Sequence, residues 1–416
     1  MFAAASLPAS ARAQAPPGAT PVTMPVTIDQ AVREALDHNL ALLAERYNVS
    51  VADAAVVTAR LRPNPVVTLN VMRPDQGLVD AGISPNEQVF RTDYLVERGG
   101  KRDRRVDAAT SARSVVDAQL LNTTRTLVLD VQNAFTDLQL DTLNLALAQE
   151  NLAAFNNVVQ VNQERVRAGD LSQVELGRSR LAALQFENDV QQQTAKLRVA
   201  QTRLSTLMGR GPDGRSLTAA GELRREGTVP EADVLLARAL EKRPDLAAAR
   251  LDVARSAADL RLQLAVGAVD YTISGEYHRQ DGTLIHGNSY GAFVSAPLPI
   301  FNRNQGEVAR ARAQQTQLET RVRAVEADVA SDVATAMAQY TSARRIVERI
   351  EAEMLATARD VRETTEYSYR AGDASFVELL DAVRAFNDTM QSYNEARADY
   401  ARSLYALDAA IGAATP

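Results

Sequence analysis

Residues 167–176 read RAGDLSQVEL, and residues 370–379 read RAGDASFVEL. The two stretches share their first four residues and also the Val-Glu-Leu that closes each of them, with no gap in between. They lie 203 positions apart (370 − 167 = 203). A match of this kind indicates that a long segment of the chain has been duplicated, and the flanking sequence repeats at nearly the same offset.

Apolar residues recur every seven positions on both sides of each RAGD stretch. This spacing is typical of helices that pack along one seam in a coiled coil. The four rows are Val131, Leu138, Leu145, Leu152, Val159 and Val166; Val333, Tyr340, Val347, Met354 and Val361; Leu176, Ala183, Val190, Leu197 and Leu204; and Leu379, Phe386, Tyr393, Tyr400 and Leu407. They predict long helices over residues 100–167 and 306–370, each followed by a helix that turns back.

The RAGD stretches are predicted to be the tips of two helical hairpins, at residues 167–172 and 370–375. Gly169 and Gly372 can take the left-handed conformation that ends a helix. A side-chain oxygen just after each glycine can accept the first amides of the returning helix. The candidate capping residues are Asp170, Ser172, Asp373 and Ser375.

Each long helix is preceded by a shorter helical stretch, over residues 28–62 in the first half and 231–265 in the second. Between the shorter and the longer helix, two segments in each half break the helical period. These strand-like segments are residues 65–72, 87–97, 269–278 and 289–299. In the third, Tyr271, Ile273 and Tyr277 alternate with polar residues, as expected of a strand with one apolar and one polar face. Tilted membrane strands have this length; two surface hairpins on a soluble protein are the alternative.

The predicted fold is mixed and mainly α, with two tandem repeats of helix, strand, strand, long helix, hairpin tip and helix. The repeats cover residues 28–209 and 231–413, and a linker rich in helix breakers covers 210–230. Residues 1–27 contain small and apolar residues before Ala-Arg-Ala and Ala-Gln-Ala, which is typical of a secretory signal with its cleavage site. The first charge is Arg12, so the basic start of a signal is missing, and a flexible tail is the alternative.

Composition excludes several classes of function. The 416 residues include no cysteine, which rules out disulfides and thiolate metal ligands, and only three histidines. A net charge of −6 gives no electrostatic reason to expect nucleic-acid binding. No nucleophile motif or phosphate-binding glycine loop is present. We therefore expect no enzyme activity, cofactor or metal site. The sequence also has no run of 18 apolar residues to predict a membrane-spanning helix.

Four strands per chain cannot close a barrel, and open strand edges are not tolerated in lipid. Three chains would supply twelve strands, which is within the range of outer-membrane barrels. Two chains would supply eight, too few to leave a channel. We therefore expect a homotrimer that forms one twelve-stranded barrel in outer-membrane lipid, continued by a barrel of long helices.

A family resemblance is carried by SAPLPIFNRNQGEVARARAQ (295–314), where the last strand enters the long helix, and by its first-half equivalent LVERGGKRDRRVDAA (95–109). From Ile28 to Gly412 the chain resembles the TolC-like outer-membrane factor family. The second-half stretch resembles the cation and heavy-metal (cobalt-zinc-cadmium type) branch of that family. The resemblance implies an exit channel in the cell outer membrane, extending into the periplasm, for a tripartite RND-type efflux system that exports heavy-metal cations. The implied partners are a periplasmic adaptor protein and an inner-membrane RND pump.

The resemblance also assigns roles to residues near the tips. It places carboxylates at the periplasmic aperture, where Glu378 and Asp381 share one helix face and would form charged rings in a trimer. Glu175 is the third aperture candidate, although in the first repeat it is followed by Arg178 instead of a second acid. The tips are the implied docking surface for the adaptor. The predicted docking residues are Arg167, Gly169, Asp170, Ser172, Arg370, Gly372, Asp373 and Ser375.

Three alternatives remain from the sequence. The first is an outer-membrane channel for drug efflux or type I secretion. The second is a periplasmic adaptor, although an adaptor would carry one hairpin beside compact β domains, whereas this hairpin occurs twice. The third is a soluble coiled-coil scaffold, which would leave the alternating strands without an explanation.

Overall fold

The structure, a computed structural model, describes residues 23–83, 85–211, 216–226, 229–284 and 286–413. In the first half the elements are α1 (Ile28–His38), α2 (Leu40–Arg60), β2 (Val66–Met72), α3 (Gln76–Asp80), β3 (Asn86–Val96), α4 (Lys101–Ala168) and α5 (Gln173–Leu207). In the second half they are α6 (Ala232–Lys242), α7 (Pro244–Val266), β5 (Tyr271–Asp281), β6 (His286–Ser295), α8 (Gln305–Arg349), α9 (Leu355–Ala371) and α10 (Phe376–Ala410). Two short strands, β1 (Thr23–Val26) and β4 (Ser216–Ala219), complete the order.

The two shorter helical stretches are each divided, where the sequence predicts one continuous helix. Asn39 is extended, and its side chain accepts a hydrogen bond from the amide of Leu42 at 3.0 Å, which caps α2. Arg243 is extended because the following Pro244 disfavours a helical conformation in the residue before it. The breaks between α1 and α2 and between α6 and α7 are therefore set by a capping side chain and by a proline, and not by the helical periodicity.

Strands β1 and β4 pair in parallel as a two-stranded sheet. They lie within stretches predicted to be an irregular lead-in (1–27) and a linker (210–230). Val26 and Leu217 are buried, at 3% and 1% exposure, and the burial of such apolar side chains favours the pairing. The signal-like residues 1–22 lie outside the described residues.

The chain forms two compact units, and neither coincides with a repeat. One unit, which we call the hairpin unit, takes the described residues of Met1–Ala35, Val131–Leu223 and Arg349–Ala398. The other, which we call the sheet unit, takes those of Leu36–Asp130, Arg224–Glu348 and Asp399–Pro416. Each unit thus combines parts of both repeats. A single copy of such a repeat cannot bury its apolar face alone, which favours packing between equivalent elements of the two halves.

In the hairpin unit the heptad rows form much of the core. Leu138, Leu204 and Leu379 are at most 1% exposed, as the seven-residue spacing predicts. Close to the second tip an aromatic cluster fills the space between the helices. Its buried members are Phe155, Ala182, Phe186, Tyr369, Phe376, Leu379 and Val383.

The second long helix contains one π-helical turn, Ile350–Met354, between α8 and α9. The predicted heptad row is buried before this turn, where Tyr340 and Val347 are 4% and 3% exposed. It is exposed at and after the turn, where Met354 and Val361 are 41% and 47% exposed. The predicted row is therefore wrong for these two residues. A π turn takes up one extra residue, which matches the change of offset between the halves from 202 (333 − 131) to 203 (370 − 167).

The sheet unit contains a four-stranded sheet in the order β2-β3-β5-β6. All three pairings are antiparallel, so the strands alternate in direction and β2 and β6 form the edges. The last strand ends at Ser295 and not at residue 299, because Pro297 and Pro299 have no amide to donate. Among the residues that the structure describes, no helix is both long enough and apolar enough to cross a membrane.

The strand register gives this sheet one apolar and one polar face. Phe90 lies opposite Tyr277 and Tyr94 lies opposite Ile273, so these four side chains share a face. The neighbouring positions belong to the other face, which is polar. Its charged and hydroxyl-bearing members on the two central strands are Glu87, Arg91, Asp93, Thr272, Ser274, Glu276 and His278.

Candidate aperture and docking tips

Both RAGD tips end their long helix in the same way. Gly169 and Gly372 have φ values of 87° and 91°, the left-handed conformation predicted for them. The amide of Asp170 donates to the carbonyl of Arg165 at 2.8 Å, and the equivalent bond at the second tip measures 2.9 Å. These bonds satisfy carbonyls that the helix end leaves free, and they require a residue that tolerates positive φ, which favours glycine.

The returning helices begin at a serine. The side chain of Ser172 accepts a hydrogen bond from the amide of Glu175 at 3.2 Å. The side chain of Ser375 accepts in the same way from the amide of Glu378 at 3.3 Å. Of the two capping candidates at each tip, the serines therefore bind these amides, and the aspartates of RAGD are exposed.

The carboxylate of Glu378 takes part in this cap. It accepts a hydrogen bond from the amide of Ser375 at 2.6 Å and another from the hydroxyl of Ser375 at 2.9 Å. The two residues thus form a capping box. These bonds, with that from the amide as the largest influence, lower the pKa of Glu378 below its ordinary value. Glu378 is therefore ionised at neutral pH and tied to the first turn of the returning helix.

The other acidic candidates are placed differently. Asp381 lies one turn after Glu378, and both side chains are exposed on one face of α10. Arg384 lies a further three residues along and donates to Gln185 at 2.9 Å. Glu175 is half-buried at the start of α5. The structure therefore brings two of the three predicted aperture carboxylates together and places the third on the other hairpin.

The arginines of the two tips are exposed. The side chains of Arg167 and Arg370 are 73% and 72% exposed. Arg167 forms an ion pair with Glu164 at 2.7 Å, and Arg370 forms one with Glu366 at 2.5 Å, each on its own helix. Exposed pairs of this kind contribute little to stability, so these guanidinium groups can exchange their partners for those of another protein.

One buried contact beneath the second tip is not predicted by the sequence pattern. The hydroxyl of Tyr369, in α9, donates to the side-chain oxygen of Asn162, in α4, at 2.8 Å. Burial, the largest influence, raises the pKa of Tyr369, so the hydroxyl keeps its proton. Asn162 is fully buried, and its side-chain nitrogen lacks a hydrogen-bond partner in the described part of the chain. A polar residue inside a periodic apolar helix is the sequence signal that could have indicated this contact.

A second buried polar feature joins α4 and α10. The side-chain nitrogen of Asn394 donates to the side-chain oxygen of Asn144 at 3.0 Å. Seven residues nearer the tip on each helix, Asn151 and Asn387 line one cavity of about 400 Å³. Both are buried, and each keeps a side-chain oxygen without a hydrogen-bond partner among the described residues. We call these four residues the asparagine seam.

Two hairpins of very long helices and an antiparallel sheet with one apolar face define the class of protein with which the chain can be compared. The family model for outer membrane efflux proteins matches residues 31–210 and 235–413. The chain belongs to this family. It is accordingly an outer-membrane efflux channel that extends into the periplasm, and it is not an enzyme.

Individual relatives agree with this assignment. The chain is 25% identical to the cobalt-zinc-cadmium resistance protein CzcC of Cupriavidus metallidurans over 86% of this chain and 83% of the relative. It is 26% identical to the pyoverdine export outer membrane protein OpmQ of Pseudomonas putida over 92% of this chain and 85% of the relative. The fold is similar to that of the Campylobacter jejuni CmeC outer membrane channel, with a TM-score of 0.79, 12% identity and coverage of 93% and 86%. The resemblance inferred from the sequence is confirmed.

Proposed function

We propose that this protein is the exit channel of an RND-type efflux system and acts as a homotrimer with one shared barrel. The observation that carries the proposal is the four-stranded sheet, whose edges are β2 and β6 and whose strand β2 is exposed along its whole length. Open edges are not tolerated in lipid. Because the strands alternate in direction, β6 of one copy meets β2 of the next in antiparallel orientation, and three copies give twelve strands.

The two faces of the sheet support the same arrangement. In a closed barrel the apolar face, with Phe90, Ile273 and Tyr290, meets lipid, and the polar face lines the lumen. Tyr290 is 82% exposed in the single chain, which is unusual for so large an apolar side chain unless lipid or another protein covers it. The long helices continue the tunnel as a helical barrel in the periplasm.

Two measurements test the assembly. Native mass in detergent should correspond to three copies, and the purified protein should conduct ions in planar lipid bilayers. A monomer that leaves the outer-membrane fraction without detergent and forms no pore would overturn the proposal.

We assign heavy-metal cations as the exported substrate. The support is the similarity to CzcC over most of both chains, together with the stretch at 295–314. A deletion strain should lose growth on zinc, cobalt or cadmium and regain it when the wild-type gene is restored. The relative OpmQ is named for pyoverdine export, so growth on iron-limited medium and on assorted drugs should be scored in parallel. Sensitivity confined to those conditions would replace the metal assignment.

In this proposal Glu378 and Asp381 control the opening of the aperture and its preference for cations. A threefold ring of carboxylates attracts cations, and its like charges repel one another when the aperture is narrow. Glu378→Gln with Asp381→Asn removes the charge, and glutamine can keep the capping box. Single-channel conductance should rise or cation selectivity should fall. Glu395→Gln, exposed on the same helix but outside the predicted aperture, is the matched control. Currents identical to wild type in the double variant would reject the role.

The hairpin tips are the proposed docking surface for the adaptor protein. Arg167 and Arg370 present exposed guanidinium groups there, beside the exposed aspartates of RAGD. Photo-cross-linkers placed at Asp170 and Asp373 should capture the adaptor in intact cells. Capture only from positions far from the tips would contradict this docking mode.

A further inference from the structure

A basic stretch lies where the sheet meets the first long helix. Residues 98–105 read RGGKRDRR, and five of the eight are Arg or Lys, in a chain whose net charge is −6. The stretch follows directly on β3, which ends at Val96, and it contains the start of α4 at Lys101. These residues have no part in the candidate aperture or the docking tips. Because a local excess of positive charge attracts anions, the stretch is a candidate anion-binding surface.

A second segment brings further arginines to the same place. Residues 61–65 join α2 to β2, and the first turns of α4 lie against them. The Nε of Arg102 donates to the carbonyl of Arg60 at 2.7 Å, and Arg105 donates to the carbonyl of Leu61 at 3.4 Å. Both segments line one cavity of about 290 Å³. Its basic lining residues are Arg62, Lys101 and Arg102.

Only some of the basic side chains in these two segments are paired with carboxylates. Lys101 is buried and pairs with Asp270 at 2.6 Å, and Arg105 pairs with Glu97. Among the described residues, four arginines of the two segments have no carboxylate partner. They are Arg60, Arg62, Arg98 and Arg102. The unpaired acid in the segments is Asp103, so three positive charges are in excess (4 − 1 = 3).

The apolar face of the sheet ends at this cavity. Tyr94 lines the cavity, and it lies on the same face as Phe90 and Ile273. On the neighbouring strand Val67 and Leu69 belong to this face too, and they are 59% and 69% exposed. Exposed apolar side chains are thus followed, along the strands, by guanidinium groups without a carboxylate. A phospholipid has the same two parts side by side, apolar acyl chains and a charged headgroup.

We propose that the cavity binds the headgroup of an anionic phospholipid, with Arg62 and Arg102 on its phosphate and the acyl chains along Tyr94. Guanidinium groups bind phosphate oxygens through paired hydrogen bonds. Arg102 keeps both terminal nitrogens for this role, since within the described chain only its Nε is bound. Basic residues at the edge of a bilayer favour anionic lipids.

This inference rests on the proposed barrel and adds which lipid the barrel holds and where. In that barrel the cavity lies at the periplasmic end of the strands, because α4 begins there and continues into the periplasm. The lipid would therefore belong to the periplasmic leaflet of the outer membrane.

The second repeat does not carry an equivalent pair of arginines. At the offset of 204 between the shorter helices, Arg60 and Arg62 correspond to Leu264 and Val266 (264 − 60 = 204; 266 − 62 = 204). Both of these side chains are apolar, and they are 52% and 43% exposed. Each chain therefore has one such site, and a trimer would have three.

Native mass spectrometry of the purified protein in detergent tests the site. Phosphatidylglycerol, which is anionic, and phosphatidylcholine, which has no net charge, are titrated separately into wild type. Phosphatidylglycerol should bind at one molecule per copy, and about tenfold more tightly than phosphatidylcholine. Arg62→Gln with Arg102→Gln removes both proposed phosphate ligands and should lower the affinity for phosphatidylglycerol about tenfold.

Two further variants keep the test independent of folding. Arg180→Gln with Arg198→Gln is the matched control, because it removes two exposed arginines of α5 that have no ion pair in the described chain. It should bind phosphatidylglycerol as wild type does. The side chain of Arg62 has no hydrogen bond or ion pair among the described residues, so its replacement breaks no contact there. Arg62→Glu alone should also weaken phosphatidylglycerol binding about tenfold.

The outcomes separate this inference from the proposed function. Equal binding of the two lipids, or equal affinities of the two double variants, would overturn the inference and leave the trimer intact. An excess of inorganic phosphate should not displace the lipid, because free phosphate lacks acyl chains; displacement would show that the cavity takes phosphate alone and would also overturn the inference. A monomeric wild-type protein would overturn the proposed function and this inference with it.

Discussion

Ser375 makes two side-chain hydrogen bonds with Glu378 at the second hairpin tip. Its hydroxyl caps the amide of Glu378 and also donates to the carboxylate of Glu378. Replacing a capping serine by alanine costs about 0.5–2 kcal/mol. Ser375→Ala should therefore speed hydrogen exchange of the first-turn amides of α10, measured by mass spectrometry on the assembled protein.

Ser172→Ala is the matched substitution at the first tip. Ser172 caps the amide of Glu175. Of the two tips as the structure describes them, only the second also has a glutamate carboxylate that accepts a hydrogen bond from the amide of the capping serine. The acceleration should therefore be smaller in α5 than in α10. Equal acceleration in both helices would show that the capping box adds nothing to the serine cap.

A second residue-scale prediction concerns Tyr369 and Asn162. Among the described residues, Tyr369→Phe removes the only hydrogen bond to the side-chain amide of Asn162, whose nitrogen is already unpartnered there. A buried amide left unsatisfied costs about 1–3 kcal/mol. The variant should unfold at lower temperature or denaturant concentration than wild type.

The double variant Tyr369→Phe with Asn162→Leu supplies the control for this pair. Removing both polar partners leaves no unsatisfied group, so much of the lost stability should return. If the double variant is as unstable as the sum of the two single ones, the hydrogen bond is not what couples these positions.

At the scale of elements, periodicity and local chemistry predict most of the architecture. Seven-residue spacing predicts the long helices, and the glycine and serine of each tip predict how the hairpins turn, because these signals lie within a few residues of the structure they cause. The break at Asn39 and the β1–β4 pair are not predicted. The first depends on one capping side chain within an otherwise helical pattern, and the second on pairing between distant segments.

The π turn was partly visible in the sequence. The offset between the halves changes from 202 to 203 before the second tip, which requires one extra residue, but periodicity alone does not say where the helix takes it up. The polar Asn162 within a periodic apolar helix is a signal for the contact with Tyr369, but periodicity does not identify the partner. That contact and the asparagine seam both join residues more than 200 positions apart (369 − 162 = 207; 394 − 144 = 250).

Deleting one residue from the π turn tests what the turn does. The turn takes up one extra residue, so deleting Ala352 should convert it to regular α-helix and leave the phase of the helix beyond it nearly unchanged. Tyr369 would still face Asn162, and the aromatic cluster would keep its rings. We expect the amount of assembled trimer in detergent to stay close to that of wild type.

The matched control inserts one alanine between Thr357 and Ala358, within the regular helix α9. A residue added to a regular helix rotates everything beyond it by about 100°, so Tyr369 would turn away from Asn162 and the trimer should be lost. Loss of the trimer in the deletion, or normal assembly of the insertion, would contradict this account of the turn.

For the molecule as a whole, the four-stranded sheet has two open edges, because β2 and β6 each pair with one strand only. In the proposed trimer, β6 of one copy would pair with β2 of the next copy. Three such pairings would close one barrel of twelve strands.

The orientation of the sheet in lipid gives the prediction for the assembled protein. Tyr290 and Ser289 are adjacent in the middle of β6, opposite Tyr277 and His278, and so belong to opposite faces. An arginine on the lipid face costs about 2–4 kcal/mol at the membrane midplane. Tyr290→Arg should therefore reduce the amount of trimer in the outer-membrane fraction, whereas Ser289→Arg, facing the lumen, should assemble normally and shift conductance away from cations. Fractionation and planar-bilayer recording of both variants test this orientation. Normal assembly of Tyr290→Arg together with failed assembly of Ser289→Arg would contradict it.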